Sequence, residues 1–250
     1  YSNGTASNNS LIFEWIDPSL GNKTFSFQSE IKTSYYRNEI KNKIQFPINN
    51  FEEIYNGENI SKYLKESETI DFNDQSIISK ARELAEGEDD LFKVIFNLAS
   101  WVESNIDYNL NTLTSETSQK SSWVLENREG VCDEMTSLFI SMCRSLGIPA
   151  RFVTGISYTT SDLFSEPWQA HGWAEIYFPD YGWVSFDPTF GQYGYIDVTH
   201  VKLKNSVDPR EASTIYEWIA NDVNIKTKEL NISAEIKDKG PTIGDEFLLE

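Results

Sequence analysis

Three short segments constrain the fold of this chain most, because each places one reactive side chain in a distinctive local setting. Cys132 follows Gly130 by two residues. His171 precedes a Gly-Trp pair, and Asp187 precedes a Pro-Thr pair. A thiol, an imidazole and a carboxylate are the groups of a cysteine nucleophile with its base and its orienting acid. The chain has only two cysteines, so few residues could produce this combination by chance.

The cysteine segment predicts a helix over residues 132–146 with Cys132 in its first turn. We expect Gly130 to permit a tight turn before the helix, and Gly147 with Pro149 to end it. Apolar residues recur at helical spacing in between. They are Met135, Leu138, Phe139, Met142 and Leu146.

Cys132 needs a charged partner to become a thiolate. A helix N-terminus favours an exposed negative charge by only about 0.3–1 kcal/mol. The carboxylates of Asp133 and Glu134 oppose that effect, because they disfavour a further negative charge beside them. An imidazolium is therefore required, and only His171 or His200 can supply it.

His171 is the better candidate, since Asp197 is the only orienting acid near His200 in the sequence. Strands are predicted over 150–158, 171–178 and 182–187. His171 and Asp187 fall on odd positions of adjacent strands. They can meet only if the connection contains an odd number of residues or a bulge shifts the register. If they are direct partners, Tyr177 pairs with Tyr181.

The second cysteine gives a contrast to Cys132. Cys143 lies eleven residues further along the same predicted helix, which separates the two by about 16 Å. A disulfide requires Cα atoms within about 7 Å, so Cys132 is expected to be a free thiol. The same separation excludes a cysteine zinc site. Cys143 is interpreted as a core residue.

Each reactive residue also has a structural interpretation. A cysteine at a helix start is commonly a small buried residue, and a histidine at a strand start is commonly structural. An aspartate before proline often only forms a turn. If Cys132 is a nucleophile, its backbone N–H is the first donor to an oxyanion. Trp123, Tyr108 or an amide of residues 109–122 could supply the second.

The order of elements predicts the α+β class. Helices are expected over residues 75–86, with Asp74 as N-cap, and over 88–105; the antiparallel strands follow. We predict a β-rich N-terminal subdomain (1–60), with strands near 24–28 and 31–36, a catalytic core (61–205) and a C-terminal extension (206–250). Alternation from residue 221 onward indicates the start of another β unit.

The charge and composition of the chain limit the classes of partner that it can bind. The formal net charge of −18 argues against nucleic acid, and no run approaches the roughly 20 apolar residues of a membrane helix. The chain begins with Tyr1, so it is expected to be a processed or excised segment. Residues 1–10 are rich in Ser, Asn and Gly and are typical of a tether, which favours an extracellular or cell-surface location.

Together these segments resemble the transglutaminase-like superfamily of papain-related cysteine enzymes, over about residues 60–200. The motif GVCDE at 130–134 resembles the nucleophile block. The motifs HGWAE at 171–175 and GWVSFDPT at 182–189 resemble the histidine and aspartate blocks. The intervals between the three residues also fit. One departure is Gly172, where this family more usually has alanine or cysteine.

The resemblance implies a papain-like core, with the nucleophile helix packed on an antiparallel sheet, and a Cys132, His171, Asp187 triad. It implies acyl transfer through a thioester on a protein or peptide substrate, without a cofactor. Water as the acceptor makes a peptidase or amidase, which we favour because the chain resembles compact microbial members. An amine makes a cross-linking transglutaminase. A non-catalytic surface module that retains the fold is the third alternative.

Overall fold

The computed structural model divides the chain into two compact units, Tyr1–Lys32 and Thr33–Glu250. Each unit is considered by itself. The structure describes residues 2–7, 10–16, 19–33, 40–48, 60–112, 118–211 and 233–237.

The first unit contains an antiparallel hairpin of β1 (Ser2–Ser7) and β2 (Ser10–Trp15), in which Ser7 pairs with Ser10. The tether prediction is therefore wrong for β1. An antiparallel ladder uses backbone hydrogen bonds, so its polar side chains do not prevent strand pairing. The strand predicted at 24–28 is also wrong, because that segment has no strand. Part of the strand predicted at 31–36 lies outside the described residues.

Four α-helices are described in the second unit. They are α1 (Gln75–Ala85), α2 (Leu91–Asn105), α3 (Ser121–Asn127) and α4 (Cys132–Ser145). Asp74 caps α1 as predicted, because its Oδ1 accepts the Ser76 N–H at 2.8 Å. The second helix begins later than expected, since the Asp90 carboxylate accepts the Phe92 N–H at 3.0 Å and fixes the start there. Helix α3 was not predicted.

Two groups of strands complete this unit. Strands β3 (Asp107–Tyr108) and β4 (Glu129–Gly130) form a short parallel pair immediately before α4. The strands of the main sheet are β5 (Ala150–Tyr158), β6 (Trp168–Phe178), β7 (Gly182–Asp187), β8 (Gln192–Tyr193) and β9 (Val201–Ser206). This sheet is antiparallel, with the strand order β8-β7-β6-β5-β9.

The core forms where α4 packs against this sheet. Burial of large apolar side chains from both layers supplies most of the stabilisation, at about 25 cal/mol per Å² of apolar surface. The shared cluster includes Leu138, Phe139, Cys143, Phe152, Ile176 and Phe186, all at most 1% exposed. Cys143 is thus a core residue, as predicted. A helix on an antiparallel sheet confirms the predicted α+β class.

The ends of the chain are described only in part. The alternating pattern predicted after residue 221 falls largely outside the described residues, and 233–237 contain no strand. The proposed limits at residues 60 and 205 therefore stay predictions. In the described part of the chain, no helix combines the length and apolar character needed to cross a membrane.

Candidate active site

Cys132 is the first residue of α4 and follows Val131, the N-cap. It is half-buried, and both cysteines are free thiols. The sequence predicted that Gly130 permits a tight turn, but the structure gives a different reason for this glycine. Gly130 lies in the short strand β4, and a Cβ at this position would come within 2.9 Å of the Glu134 Cβ. The glycine is needed for space rather than for an unusual backbone conformation.

Glu134 fixes the start of the nucleophile helix. Its Oε2 accepts the Val131 N–H at 2.9 Å and the Thr112 hydroxyl at 2.7 Å. Its Oε1 accepts the Gln119 N–H at 2.9 Å. The bond to the N-cap amide is one half of a capping box, and it uses a carboxylate that is fully buried. Glu134 therefore binds the segment that precedes the helix.

The negative charge that disfavours a thiolate at Cys132 comes from Asp133. The Cys132 Sγ lies 3.7 Å from the Asp133 Oδ1. Burial raises the pKa of the Cys132 thiol well above its usual value, and the Asp133 carboxylate raises it further. A hydrogen bond from the Gly172 amide acts in the opposite direction. Burial also raises the pKa of Asp133, against the charge of His171. The surroundings alone therefore keep the thiol protonated.

Tyr108 is one of the three predicted sources of a second oxyanion donor. Strand pairing with Gly130 brings it to the start of α4, where its hydroxyl hydrogen-bonds with Cys132. Burial, followed by the negative charges at Cys132 and Asp133, raises the pKa of Tyr108, so its hydroxyl stays protonated. Trp123 instead packs against the core cluster.

His171 and Asp187 form a direct buried pair. The His171 Nε2 lies 2.6 Å from the Asp187 Oδ2. The other carboxylate oxygen of Asp187 accepts the backbone N–H groups of Thr189 at 2.8 Å and Phe190 at 3.2 Å. Burial would raise the pKa of Asp187, but the charge and hydrogen bond of His171 outweigh it with help from His200, so this pKa is lowered. Asp187 is therefore an ionised acceptor.

The register between their strands confirms one prediction and corrects another. Tyr177 pairs with Trp183 and Phe178 with Gly182, so odd positions face odd positions across a three-residue loop. The alternative of direct partners, with Tyr177 opposite Tyr181, is wrong. Asp187 lies one residue beyond the last recorded β6–β7 pair, and continuing that register would place it opposite Trp173. The observed loop lies one residue later than the direct-partner alternative requires. Because Asp187 faces the position of Trp173, the His171 side chain reaches it diagonally, from two residues away along β6.

Backbone contacts connect the pair to Cys132. The Gly172 amide donates to the Cys132 sulfur, and the Gly172 carbonyl accepts the Thr136 hydroxyl at 3.1 Å. Because the Nε2 of His171 serves Asp187, Nδ1 is the nitrogen left to take a thiol proton. A Cβ at residue 172 would lie 2.3 Å from the Phe152 Cζ, which explains the glycine in this chain.

His200 is a site residue that the sequence argument ranked too low. Its Nε2 lies 3.1 Å from the Asp187 Oδ2, and its Nδ1 lies 3.0 Å from the Asp197 Oδ1. Phe190 was also missed, and its ring meets the His171 ring edge to face at 4.9 Å. The available signal was the spacing of Asp197 and His200, three residues apart in one turn.

The cluster is hydrogen-bonded rather than arranged around a metal. One ligand atom from each of His171, Asp187 and His200 lies within 4.8 Å of the others. Ligands of a tetrahedral zinc ion are about 3.3 Å apart, given bonds of about 2.0 Å. The 2.6 Å contact between His171 and Asp187 is too short to hold an ion between them.

Residues 78–188 match the family model of the transglutaminase-like superfamily. This span contains Cys132, His171 and Asp187, and the match confirms the resemblance seen in the sequence motifs.

This chain matches only a part of each of two longer relatives. The uncharacterized protein YebA of Bacillus subtilis (strain 168) is 28% identical over an aligned length of 196, and the match covers 67% of this chain and 26% of YebA. A protein-glutamine gamma-glutamyltransferase of Pseudomonas aeruginosa is 32% identical over an aligned length of 73, and the match covers 27% of this chain and 11% of that protein. The chain thus spans about a quarter of YebA.

A solved structure supports the fold. The crystal structure of a candidate cysteine protease from Cytophaga hutchinsonii matches with a TM-score of 0.50 and 23% identity. The match covers 62% of this chain and 49% of that chain.

Proposed function

We propose that this chain, whose residues 78–188 belong to the transglutaminase-like superfamily, is a thiol-dependent acyl-transfer enzyme that cleaves peptide or isopeptide amide bonds. Cys132 is the nucleophile, His171 the general base and acid, and Asp187 the orienting acid. The observation that carries the proposal is the buried 2.6 Å contact between His171 and Asp187, beside the strand amide that binds the Cys132 sulfur.

The chemistry proceeds in two steps. The Cys132 sulfur attacks the amide carbonyl carbon while its proton passes to His171, and a tetrahedral oxyanion forms. His171 then gives that proton to the leaving nitrogen, so the C–N bond breaks and a thioester remains. Water, deprotonated by His171, attacks the thioester and releases the acid and the free thiol.

Two donors are available to the oxyanion. The Cys132 backbone N–H lies at the N-terminus of α4, outside the helix's own hydrogen bonds; it donates to the Tyr108 oxygen in the resting site, and an oxyanion would replace that acceptor. The Tyr108 hydroxyl hydrogen-bonds with the same residue and stays protonated. We propose Tyr108 as the second donor, because it is the predicted donor with a described contact to Cys132.

Water is the favoured acceptor, because hydrolysis needs no binding site for an amine and the chain resembles compact microbial members of the superfamily. The alternative is a transglutaminase with an amine acceptor. It is favoured by the name of the Pseudomonas aeruginosa relative, a protein-glutamine gamma-glutamyltransferase. A protein or peptide substrate and an extracellular or cell-surface location complete the proposal.

The third alternative is a surface module that binds without catalysis. The complete set of reactive residues argues against it. All three reactive residues, Cys132, His171 and Asp187, are present, whereas a site that has lost its catalytic role commonly loses one of them.

The acceptor can be tested with a glutamine-containing peptide, incubated with and without a small primary amine and followed by mass spectrometry. Conversion of amide to acid, or cleavage of the peptide, is expected in both reactions. A product that contains the amine would overturn the preference for hydrolysis. The Cys132→Ala variant is the control, and a product that persists in it would contradict the proposed nucleophile.

A further inference from the structure

His200 occupies a position that the proposed mechanism does not use. Its ring lies between two carboxylates, with Nε2 at 3.1 Å from the Asp187 Oδ2 and Nδ1 at 3.0 Å from the Asp197 Oδ1. Its side chain is 1% exposed and the Asp187 side chain 0%. Since His171 binds the same Oδ2 at 2.6 Å, one carboxylate oxygen serves both histidines.

The two carboxylates determine how many protons His200 carries. An ionised carboxylate only accepts hydrogen bonds, whereas a neutral imidazole has one donor and one acceptor. A neutral His200 would therefore direct a lone pair at one of the acids. Both contacts are satisfied only when His200 carries a proton on each nitrogen.

The outer acid, Asp197, has further hydrogen bonds that favour its ionised form. Besides the bond with His200, Asp197 accepts the Thr199 N–H at 2.8 Å and the Gln192 side-chain amide at 2.6 Å. Burial opposes ionisation of Asp197, but the hydrogen bond with His200 and those from Thr199 and Gln192 outweigh it and lower its pKa. Burial likewise opposes the charge on His200, yet its hydrogen bonds to the two acids raise its pKa to about 9.

Other neighbours exclude water from this ring. The Trp173 and Phe190 rings meet the His200 ring edge to face at 5.3 and 5.4 Å. Among the described residues, the titratable groups that face His200 are His171 from β6, Asp187 from β7 and Asp197 from its own turn. Charges at this depth are weakly screened, so each acts on its neighbours over several ångströms.

We propose that His200 is a positioning residue of the triad, a cation that holds the Asp187 carboxylate in place for His171 and offsets part of its charge. The inference rests on the proposed function of Cys132, His171 and Asp187. A lone buried carboxylate would stabilise the His171 imidazolium strongly and delay transfer of its proton to the leaving nitrogen. With His200 hydrogen-bonded to the same oxygen, Asp187 still orients His171. It stabilises the proton on the His171 imidazolium less strongly, so that proton is transferred more readily.

The consequence is a definite shift in pH dependence. The titratable groups that act on His171 are Asp187, His200 and Asp133. The ring centroids of His171 and His200 are 5.5 Å apart. Removing a positive charge at that distance favours the form of the site that holds one more proton, so activation of the thiol is expected to need a higher pH.

The variant His200→Gln keeps an amide donor but removes the charge. The measurement is the rate of Cys132 alkylation by iodoacetamide between pH 5 and 9, followed by intact mass spectrometry. We expect the midpoint of the pH–rate curve to rise by about one unit in His200→Gln. Lys202→Gln is the matched control, because it removes a half-exposed positive charge bound to Glu175 at 2.7 Å. It should leave the midpoint within about 0.3 units of the parent.

The outcomes separate the two proposals. If the curve of His200→Gln overlays that of a parent whose labelling depends on His171, the role of His200 is wrong and the proposed function stands. If labelling of the parent matches that of His171→Ala, both proposals are overturned.

A second measurement needs no substitution at His200. The chain has two histidines, so ¹⁵N spectra of the imidazoles in His171→Ala report His200 alone. Two protonated nitrogens at pH 7.5 are expected. A neutral ring at that pH would contradict the inference, whether or not His200→Gln folds.

Discussion

The His171 Nε2 lies 2.6 Å from the Asp187 Oδ2, although these residues are not opposite each other in the β6–β7 ladder. The second oxygen of Asp187 is held by the backbone amides of Thr189 and Phe190, in the turn after β7. The turn therefore fixes the carboxylate, and the strand register only brings it within reach. This arrangement sets the tautomer of His171 by placing the Nε2 proton on the side of the acid.

The variant Asp187→Asn tests this role. The side chain keeps its size but loses its charge, so it no longer fixes the Nε2–H tautomer or stabilises the imidazolium. The rate of peptide turnover is expected to fall on the order of 10³- to 10⁴-fold with an unchanged circular dichroism spectrum. Asp180→Asn, in the exposed turn of the same hairpin, is the control. Turnover by Asp187→Asn within a few-fold of the control would remove Asp187 from the triad.

The variant Asp133→Asn tests the charge that opposes the thiolate. Because the Asp133 carboxylate raises the pKa of the Cys132 thiol, its removal should lower that pKa. Labelling of Cys132 at pH 7 is expected to become about three- to tenfold faster. Asp107→Asn, an exposed acid in β3, should change the rate little. Slower labelling of Asp133→Asn would mean that this carboxylate assists the nucleophile.

Substitution of Glu134 tests the attachment of the segment before the helix. In Glu134→Gln, one of the two oxygens becomes an NH₂ group that faces donors instead of accepting from them. The free energy of unfolding is expected to fall by about 1–3 kcal/mol, as measured by urea titration. Glu126→Gln, exposed on α3, is the matched control and should lie within about 0.5 kcal/mol of the parent. Equal urea midpoints for the two variants would contradict the capping role.

Gly172→Ala tests whether the departure from the family pattern follows from packing. The added Cβ would lie 2.3 Å from the Phe152 Cζ and 2.5 Å from the Asp133 Oδ1. A loss of about 1–3 kcal/mol in stability is expected from this overpacking. Shortening the facing ring in the double variant Gly172→Ala/Phe152→Leu should recover part of it relative to Phe152→Leu alone. Fully additive effects would show that the ring is not the obstacle.

Sequence patterns predicted the central elements of the second unit well. Strands β5 and β7 occupy the expected residues, and α4 ends one residue earlier than expected. These elements carry strong local signals, since α4 combines a periodic apolar stripe with a glycine and a proline after its last turn.

Other elements lacked such signals. Helix α3 has seven residues and no side-chain N-cap, so it is short and no start signal marks it in the sequence. Strand β9 alternates apolar and polar residues only from Val201 to Lys204, and its one buried residue is Ser206. Strand β1 has Ala6 as its one apolar side chain, and its pairing depends on the backbone. Local composition does not encode pairings of this kind.

The site was predictable in its residue types but less so in its geometry. Parity showed only that an odd connection or a bulge is needed for His171 and Asp187 to share a face, and the loop of residues 179–181 determined the actual register. The second histidine was ranked low because its acid partners were judged along the chain. Asp187 is thirteen residues away in sequence and reaches His200 only through the fold.

The central claim is that His171 activates the Cys132 thiol, and the most direct test is the rate of labelling by a thiol-reactive probe. Parent, His171→Ala and Cys132→Ala proteins are compared at pH 7 by intact mass spectrometry. We expect the parent to be labelled once, at least about tenfold faster than His171→Ala, and Cys132→Ala to remain unlabelled because Cys143 is buried. Equal labelling rates for the parent and His171→Ala would contradict the account.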